Sequence, residues 1–210
     1  KIARLIKPNT DILAFEDGFH GRTFGAMSAT MQDKIQSGFE PLVPGFTKAI
    51  YNDVDSLKSA VNPNIGAIIF EIVQGEGGVT PITQAFAEAL KAYQKQGVLL
   101  IVDEVQTGNG RTGHLFAFEH FGFEPDIITS AKGLGNGLPV GVMLAKQEYA
   151  AYFSAGKHGS TFGGNPLAMA SAKAVLGALR APGFLAEVTD KAAYLTTLLT
   201  DKLLGKPAVK

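Results

Sequence analysis

Three short runs constrain this chain more than anything else in it: AIIFE ending at Glu71, VLLIVD ending at Asp103, and DIIT ending at Thr129. Each is nearly continuous in Ile, Leu and Val. A strand with one wet face alternates apolar and polar residues, whereas a strand covered on both faces has no such need. Candidate strands at Asp11–Phe15, Lys48–Tyr51, Ala67–Glu71, Val98–Asp103, Ile127–Ser130 and Gly141–Leu144 alternate with helical patterns. Thr83–Gln96 places Phe86, Leu90 and Tyr93 on one stripe, with Thr83 at the N-cap and Gly97 just past the end. Asn165–Arg180 opens with an Asn cap and Pro166. Leu185–Leu203 carries Leu185, Val188, Leu195 and Leu199 at helical spacing. Strands alternating with helices predict an α/β fold, a mostly parallel sheet flanked by helices. The break at Ala181–Pro182–Gly183 predicts a unit over 1–182, with 183–210 a helix leading toward a further domain.

The overall balance narrows the function. With 46% hydrophobic and 18% charged residues, the chain can bury a sizeable core. Nineteen basic residues oppose nineteen acidic ones, and no basic stripe is present, so nucleic acid and acidic membranes are poor partners. No apolar run approaches the ~20 residues of a spanning helix. Without cysteine there is no disulfide framework and no thiolate chemistry. The lack of cysteine and of a leader segment points to the cytoplasm. The opening KIARLIKP reads as the tail of a helix already under way, and LLGKPAVK as the turn after one. The sequence is therefore expected to be a piece of a longer protein.

Glycines cluster beyond the apolar runs, at 75, 77 and 78, at 108, 110 and 113, and at 133, 135 and 137. Ligands of open α/β sheets bind beyond the carboxyl ends of the strands, so flexible backbone stands where a site belongs. From Ile127 to Ala145 the only charged side chain is Lys132. A lysine among small and apolar neighbours is a candidate for desolvation and Schiff-base chemistry; a stem that packs while its head reaches water is the plainer alternative. The VLLIVD run carries Asp103 and Glu104 to its end, and strand alternation sends these two to opposite sides. A carboxylate at the floor of a buried strand end needs a partner. A nucleotide site would need a Gly-x-x-x-x-Gly-Lys-Ser/Thr loop, which is absent. A pyridinium nitrogen would suit Asp103, because a cofactor ring kept protonated serves as an electron sink.

Two further segments carry chemistry. In Phe19–His20–Gly21–Arg22–Thr23, an aromatic or imidazole ring can stack on a flat group, and Arg22, one of four arginines, can hold a carboxylate bidentately. A surface turn with a solvated arginine is the alternative. In His158–Pro166, hydroxyls and glycine amides ahead of a helix suit a phosphate, or simply cap that helix. The histidines at 20, 114, 120 and 158 lack metal-ligand spacing. Glu71 and Glu76 could be paired acids for glycoside chemistry, but their setting between a buried strand and a glycine turn favours a polar gate beside a cofactor.

Taken together, FHGRT at 19–23, QGEGG at 74–78, DEVQTGNGRTG at 103–113, SAKGLGNGLPVG at 130–141 and HGSTFGGNPLA at 158–168 resemble the class III aminotransferases, in the family's order. Twenty-nine residues separate Asp103 from Lys132, as in that family. The resemblance implies the aspartate aminotransferase-like fold (fold type I), pyridoxal 5'-phosphate as cofactor, and a homodimer with shared active sites. It implies that Lys132 carries the cofactor and that the run Asp103, Glu104, Val105 and Gln106 contacts it, Asp103 at the ring nitrogen, Val105 on a ring face and Gln106 at the phenolic oxygen. Phe19 stacks on the other face, and Arg22 takes the substrate α-carboxylate. Glu76 gates the two half-reactions. Ser160 and Thr161 reach the neighbouring subunit's site, Ser160 toward substrate and Thr161 on the cofactor phosphate. The wording HGSTFGGNP and GLGNGLPVG turns the implied donor toward N-acetylornithine, with 2-oxoglutarate as acceptor in a step of arginine biosynthesis. Ornithine, succinylornithine and 4-aminobutyrate are the alternative donors. Ile72 stands where the family usually has proline, and the family's phosphate loop and small C-terminal domain lie outside this sequence. A cofactor-free binding or dimerisation module is the competing class of function.

Overall fold

The computed structural model describes residues 1–206; the end of the expected 183–210 segment, residues 207–210, lies outside them. Eight strands form among the described residues: β1 Asp11–Phe15, β2 Phe46–Ala49, β3 Ile65–Glu71, β4 Val73–Gln74, β5 Thr80–Pro81, β6 Leu99–Asp103, β7 Ile127–Ser130 and β8 Val142–Ala145. Six of them make one sheet in the order β2-β1-β3-β6-β7-β8, parallel except for β8, and β4 with β5 forms a separate two-stranded ribbon. The helices are α1 Ile2–Ile6, α2 Phe24–Ala29, α3 Asp33–Gln36, α4 Val54–Ala60, α5 Gln84–Lys95, α6 Pro166–Leu179 and α7 Phe184–Leu203.

The continuous apolar runs are explained by two cores, one on each side of the sheet. Ile68, Phe70, Leu100 and Val102 point to the side packed by Leu57 of α4 and by Phe86 and Leu90 of α5. Their strand neighbours Ala67, Leu99 and Ile101 point to the other side, against Ile2 and Ala3 of α1. Every residue of β6 is buried. The alternation that decides this packing also decides the chemistry at the strand ends, because Glu71 and Asp103 continue the second set and Glu104 continues the first.

Helix boundaries follow their caps. Thr83 Oγ1 accepts from the Phe86 N–H at 3.3 Å, Asn165 Oδ1 accepts from the Ala168 N–H at 2.9 Å, and Gly97 takes φ +91° just beyond α5. The second strand is displaced from expectation, lying at Phe46–Ala49 rather than 48–51. Ile50 and Tyr51 have strand-like side chains, but the Ile50 N–H donates to Ser56 Oγ and the Tyr51 hydroxyl donates to the Glu71 carbonyl at 2.7 Å. Asn52, at φ +62°, then turns the chain. The last strand is shifted by one residue through its antiparallel register with β7. Residues 117–121, 132–135 and 147–153 form 3₁₀ turns that no periodicity signalled.

Asp126 ties the start of β7 to its surroundings. Its carboxylate accepts from the Leu100 N–H at 2.8 Å, the Gln94 side chain at 2.9 Å and Lys146 Nζ at 2.8 Å, with the Tyr149 hydroxyl at 3.4 Å. Burial and the Asp126 charge together push the Tyr149 hydroxyl above its ordinary range. Asp126 is 5% exposed at its side chain, so removing it strands an ammonium and a buried amide without partners. Asp126→Ala is expected to cost about 3 kcal/mol, the lower end for breaking a buried pair. A lowered urea midpoint at unchanged m-value checks this.

Candidate active site

The carboxyl ends of β3, β6 and β7 lie side by side, with Glu71 opposite Asp103 and Asp103 opposite Thr129. Beyond Ser130 the chain turns abruptly, and Lys132 sits at φ +44°, a left-handed conformation that costs a non-glycine residue about 1–3 kcal/mol. The surroundings enforce it. The Asn109 side chain donates to Ser130 Oγ at 3.0 Å and to the Ala131 carbonyl at 3.2 Å, while Ser171 of α6 donates to the Gly135 carbonyl at 2.7 Å. A lysine clamped in a strained conformation at a strand end is a functional candidate on geometry alone.

Lys132 opens into a cleft of about 710 Å³ whose lining includes Glu76, Val105, Gln106 and Asn109. The expectation that its neighbours desolvate it is corrected here: Lys132 is exposed in this chain, with Gly133 beside it exposed as well. Gln106 faces the glycine turn, since a Cβ on Gly75 would lie 3.6 Å from its side chain.

Asp103 is 7% exposed and its partner is His20. The ring Nδ1 lies 2.8 Å from Asp103 Oδ2, and the Val105 N–H donates to Oδ1 at 3.1 Å. These bonds occupy two of about four acceptor positions on the carboxylate, which leaves capacity for a further N–H. His20 Nε2 and Thr129 Oγ1 are buried without a partner among the described residues. A carboxylate with spare capacity, an open lysine at the next strand end and unpaired buried polar atoms together fit a nitrogen heterocycle bearing a carbonyl group.

Glu104 is a correction to the cofactor contacts expected from the DEVQ run. It is fully buried on the opposite side of the sheet, where its carboxylate accepts from the Thr107 hydroxyl and from the Phe118 N–H at 2.9 Å. Burial pushes its carboxyl upward, opposed by those bonds. Its role is to hold the 107–118 turn against the core.

Phe19 and Arg22 lie outside the cleft lining, on the segment whose His20 contacts Asp103, with the Arg22 guanidinium 5.8 Å from the Phe19 ring centre. Ser160 and Thr161 are exposed on the loop before α6, also outside the cleft. The structure thus gathers Lys132, Val105, Gln106 and Glu76 in one cleft and joins Asp103 to the Phe19 segment through His20. His20 as the partner of Asp103, Asn109 as a clamp and Glu71 as an anchor were missed in sequence, where nothing marks a contact across 83 residues. No group of three or more metal-ligating side chains occurs among the described residues, nor any helix long and apolar enough to cross a membrane.

A mostly parallel sheet flanked by helices is the architecture of fold type I transaminases. The ornithine aminotransferase of Toxoplasma gondii ME49 superposes with a TM-score of 0.91 at 33% identity, over 99% of this chain and 52% of that one. A Bacillus anthracis aminotransferase superposes with a TM-score of 0.87 at 29% identity, over 98% of this chain and 54% of that one. Residues 1–209 match the family described as aminotransferase class III, and the chain belongs to that family. It is 64% identical to the acetylornithine aminotransferase of Lactococcus lactis over 100% of this chain and 56% of that protein. It is 55% identical to that of Streptococcus mutans over 97% of this chain and 54% of that protein. The chain spans about half the length of the curated relatives it matches.

Proposed function

We propose that this chain is the cofactor-binding portion of a pyridoxal 5'-phosphate-dependent acetylornithine aminotransferase, which moves the δ-amino group of N-acetylornithine to 2-oxoglutarate in arginine biosynthesis. The observation that carries the reading is Lys132, clamped at φ +44° and open to the cleft one strand away from Asp103. Identity to relatives named acetylornithine aminotransferase supports the donor. A Toxoplasma gondii ornithine aminotransferase studied with partial occupancy of PLP at its active site supports the cofactor. Residues 1–182 form the cofactor-binding domain in this reading, and 183–210 lead to a smaller one. The protein acts in the cytoplasm as a homodimer.

When bound, the cofactor supplies a carbonyl that accepts the amino group and a ring that spreads negative charge from the carbon losing its proton. Lys132 would hold the cofactor, and its amine would take the proton from the substrate carbon as base and deliver it, as acid, to the carbon that bore the carbonyl. Asp103, in contact with His20, would keep a proton on the ring nitrogen. Val105, Phe19 and Gln106 would hold the ring, and Arg22 would bind the substrate α-carboxylate. Glu76 gates between donor and acceptor. Ser160 and Thr161, exposed here, serve the partner's substrate and cofactor phosphate, an exchange that two-fold symmetry makes reciprocal.

Turnover of the full-length protein with a panel of donors tests the reading. N-acetylornithine is expected to exceed ornithine, succinylornithine and 4-aminobutyrate in kcat/KM by at least about tenfold. Preference for another donor would move the protein elsewhere in its family.

A further inference from the structure

We propose that Glu71 is a buried positioning residue that fastens the two segments facing the substrate, residues 16–22 and 74–79, into one unit, so that the segment bearing Phe19 and Arg22 sets the placement of Glu76. The proposal rests on the roles given above to Arg22 and Glu76.

Glu71 ends β3 and is 5% exposed. Its Oε1 accepts the Phe19 N–H at 2.9 Å, and the chain runs from it through β4 directly into the 74–79 segment. One side chain thus ties the strand end that leads into 74–79 to the backbone of 16–22. Two other joints bring the same segments together. The Gln74 side chain donates to the Glu16 carbonyl at 2.8 Å. A Cβ on Gly77 would lie 2.8 Å from both the carbonyl oxygen and the Cβ of Asp17, so glycine permits the segments to touch there. Gly75 and Glu76 line the cleft, so this unit borders the site directly.

The chemistry of the joint calls for an acceptor, because the Phe19 N–H donates to it and a leucine in its place would leave that donor unpaired. Burial pushes the Glu71 carboxyl upward, the Phe19 N–H and His20 oppose this, and the Asp103 charge reinforces it. The group is costly to bury so near a second carboxylate, which an ordinary loop cap at the surface would avoid. An ordinary cap would also steady only its own segment.

Hydrogen exchange on the full-length, cofactor-loaded protein tests the difference. Glu71→Leu should speed exchange roughly tenfold in both 17–22 and 74–79, leaving Leu99–Asp103 protected. KM for 2-oxoglutarate should rise by a larger factor than kcat falls. Glu71→Gln keeps the shape and should give the same two-segment response at smaller amplitude, so the proposal stays decidable if the leucine variant fails to fold. Faster exchange in one segment alone, in neither, or with kcat reduced at unchanged KM overturns it. The exchange readout does not depend on the substrate. Coupled exchange in a protein that does not transaminate would refute the function reading alone, and uncoupled exchange in an active enzyme would refute the fastening alone.

Discussion

Replacing Lys132 by alanine is expected to lower turnover of the full-length enzyme by about four orders of magnitude, the upper range for loss of a general acid–base group. The loss should be chemical rather than structural. Lys132 is exposed, its positive φ is imposed by Asn109 and Ser171 contacts to neighbouring residues, and its ammonium forms no ion pair among the described residues. The melting temperature should therefore stay near that of the wild type. Lys132→Arg sharpens the comparison. Arginine keeps the positive charge but is always protonated, so it can neither attack a carbonyl nor take up a proton. A lysine needed only for charge would be rescued by arginine. In this account the two variants are equally inactive.

Asp103→Asn is expected to lower kcat by about 10- to 100-fold, corresponding to a charge-assisted hydrogen bond of about 1.5–3 kcal/mol. Asparagine keeps the shape of the floor and one acceptor oxygen for the Val105 N–H, while its amide nitrogen replaces the oxygen that faces His20 and the charge is lost. The loss should fall on kcat more than on cofactor binding, because the charge-bearing transition state uses the interaction more than the ground state does. Glu104→Gln, one residue on, is the control. Its carboxylate is engaged with Thr107 and Phe118 on the other side of the sheet, so the substitution should alter stability and leave the cofactor absorption unchanged. Near-normal turnover in Asp103→Asn, or greater catalytic damage in Glu104→Gln, would show that the ring is misplaced.

The sheet was legible because burial on both sides leaves a composition that local sequence displays. Ile68 and Leu100 had to face a core whichever way they pointed, and two cores were there to receive them. The Thr83 and Asn165 caps were legible because their bonds close within three residues. The second strand was misread by two residues because Tyr51 is claimed by Glu71, twenty positions away. The site divides in the same manner. Lys132 and Asp103 stand out at the ends of apolar runs, and alternation sends Asp103 and Glu104 in opposed directions, which sets Glu104 apart from the cofactor contacts that the family resemblance implies. The exposure of Lys132 and the pairing of His20 with Asp103 depend on which strands become neighbours. That order, with β1 beside β3 and β3 beside β6, is written in no local pattern.

The central claim is that Lys132 carries the cofactor, and borohydride reduction of the cofactor-loaded full-length enzyme followed by peptide mapping tests it most directly. The account predicts a single stable adduct on the peptide containing Lys132. An adduct on Lys146, whose ammonium is paired to Asp126, or on any other lysine would contradict it.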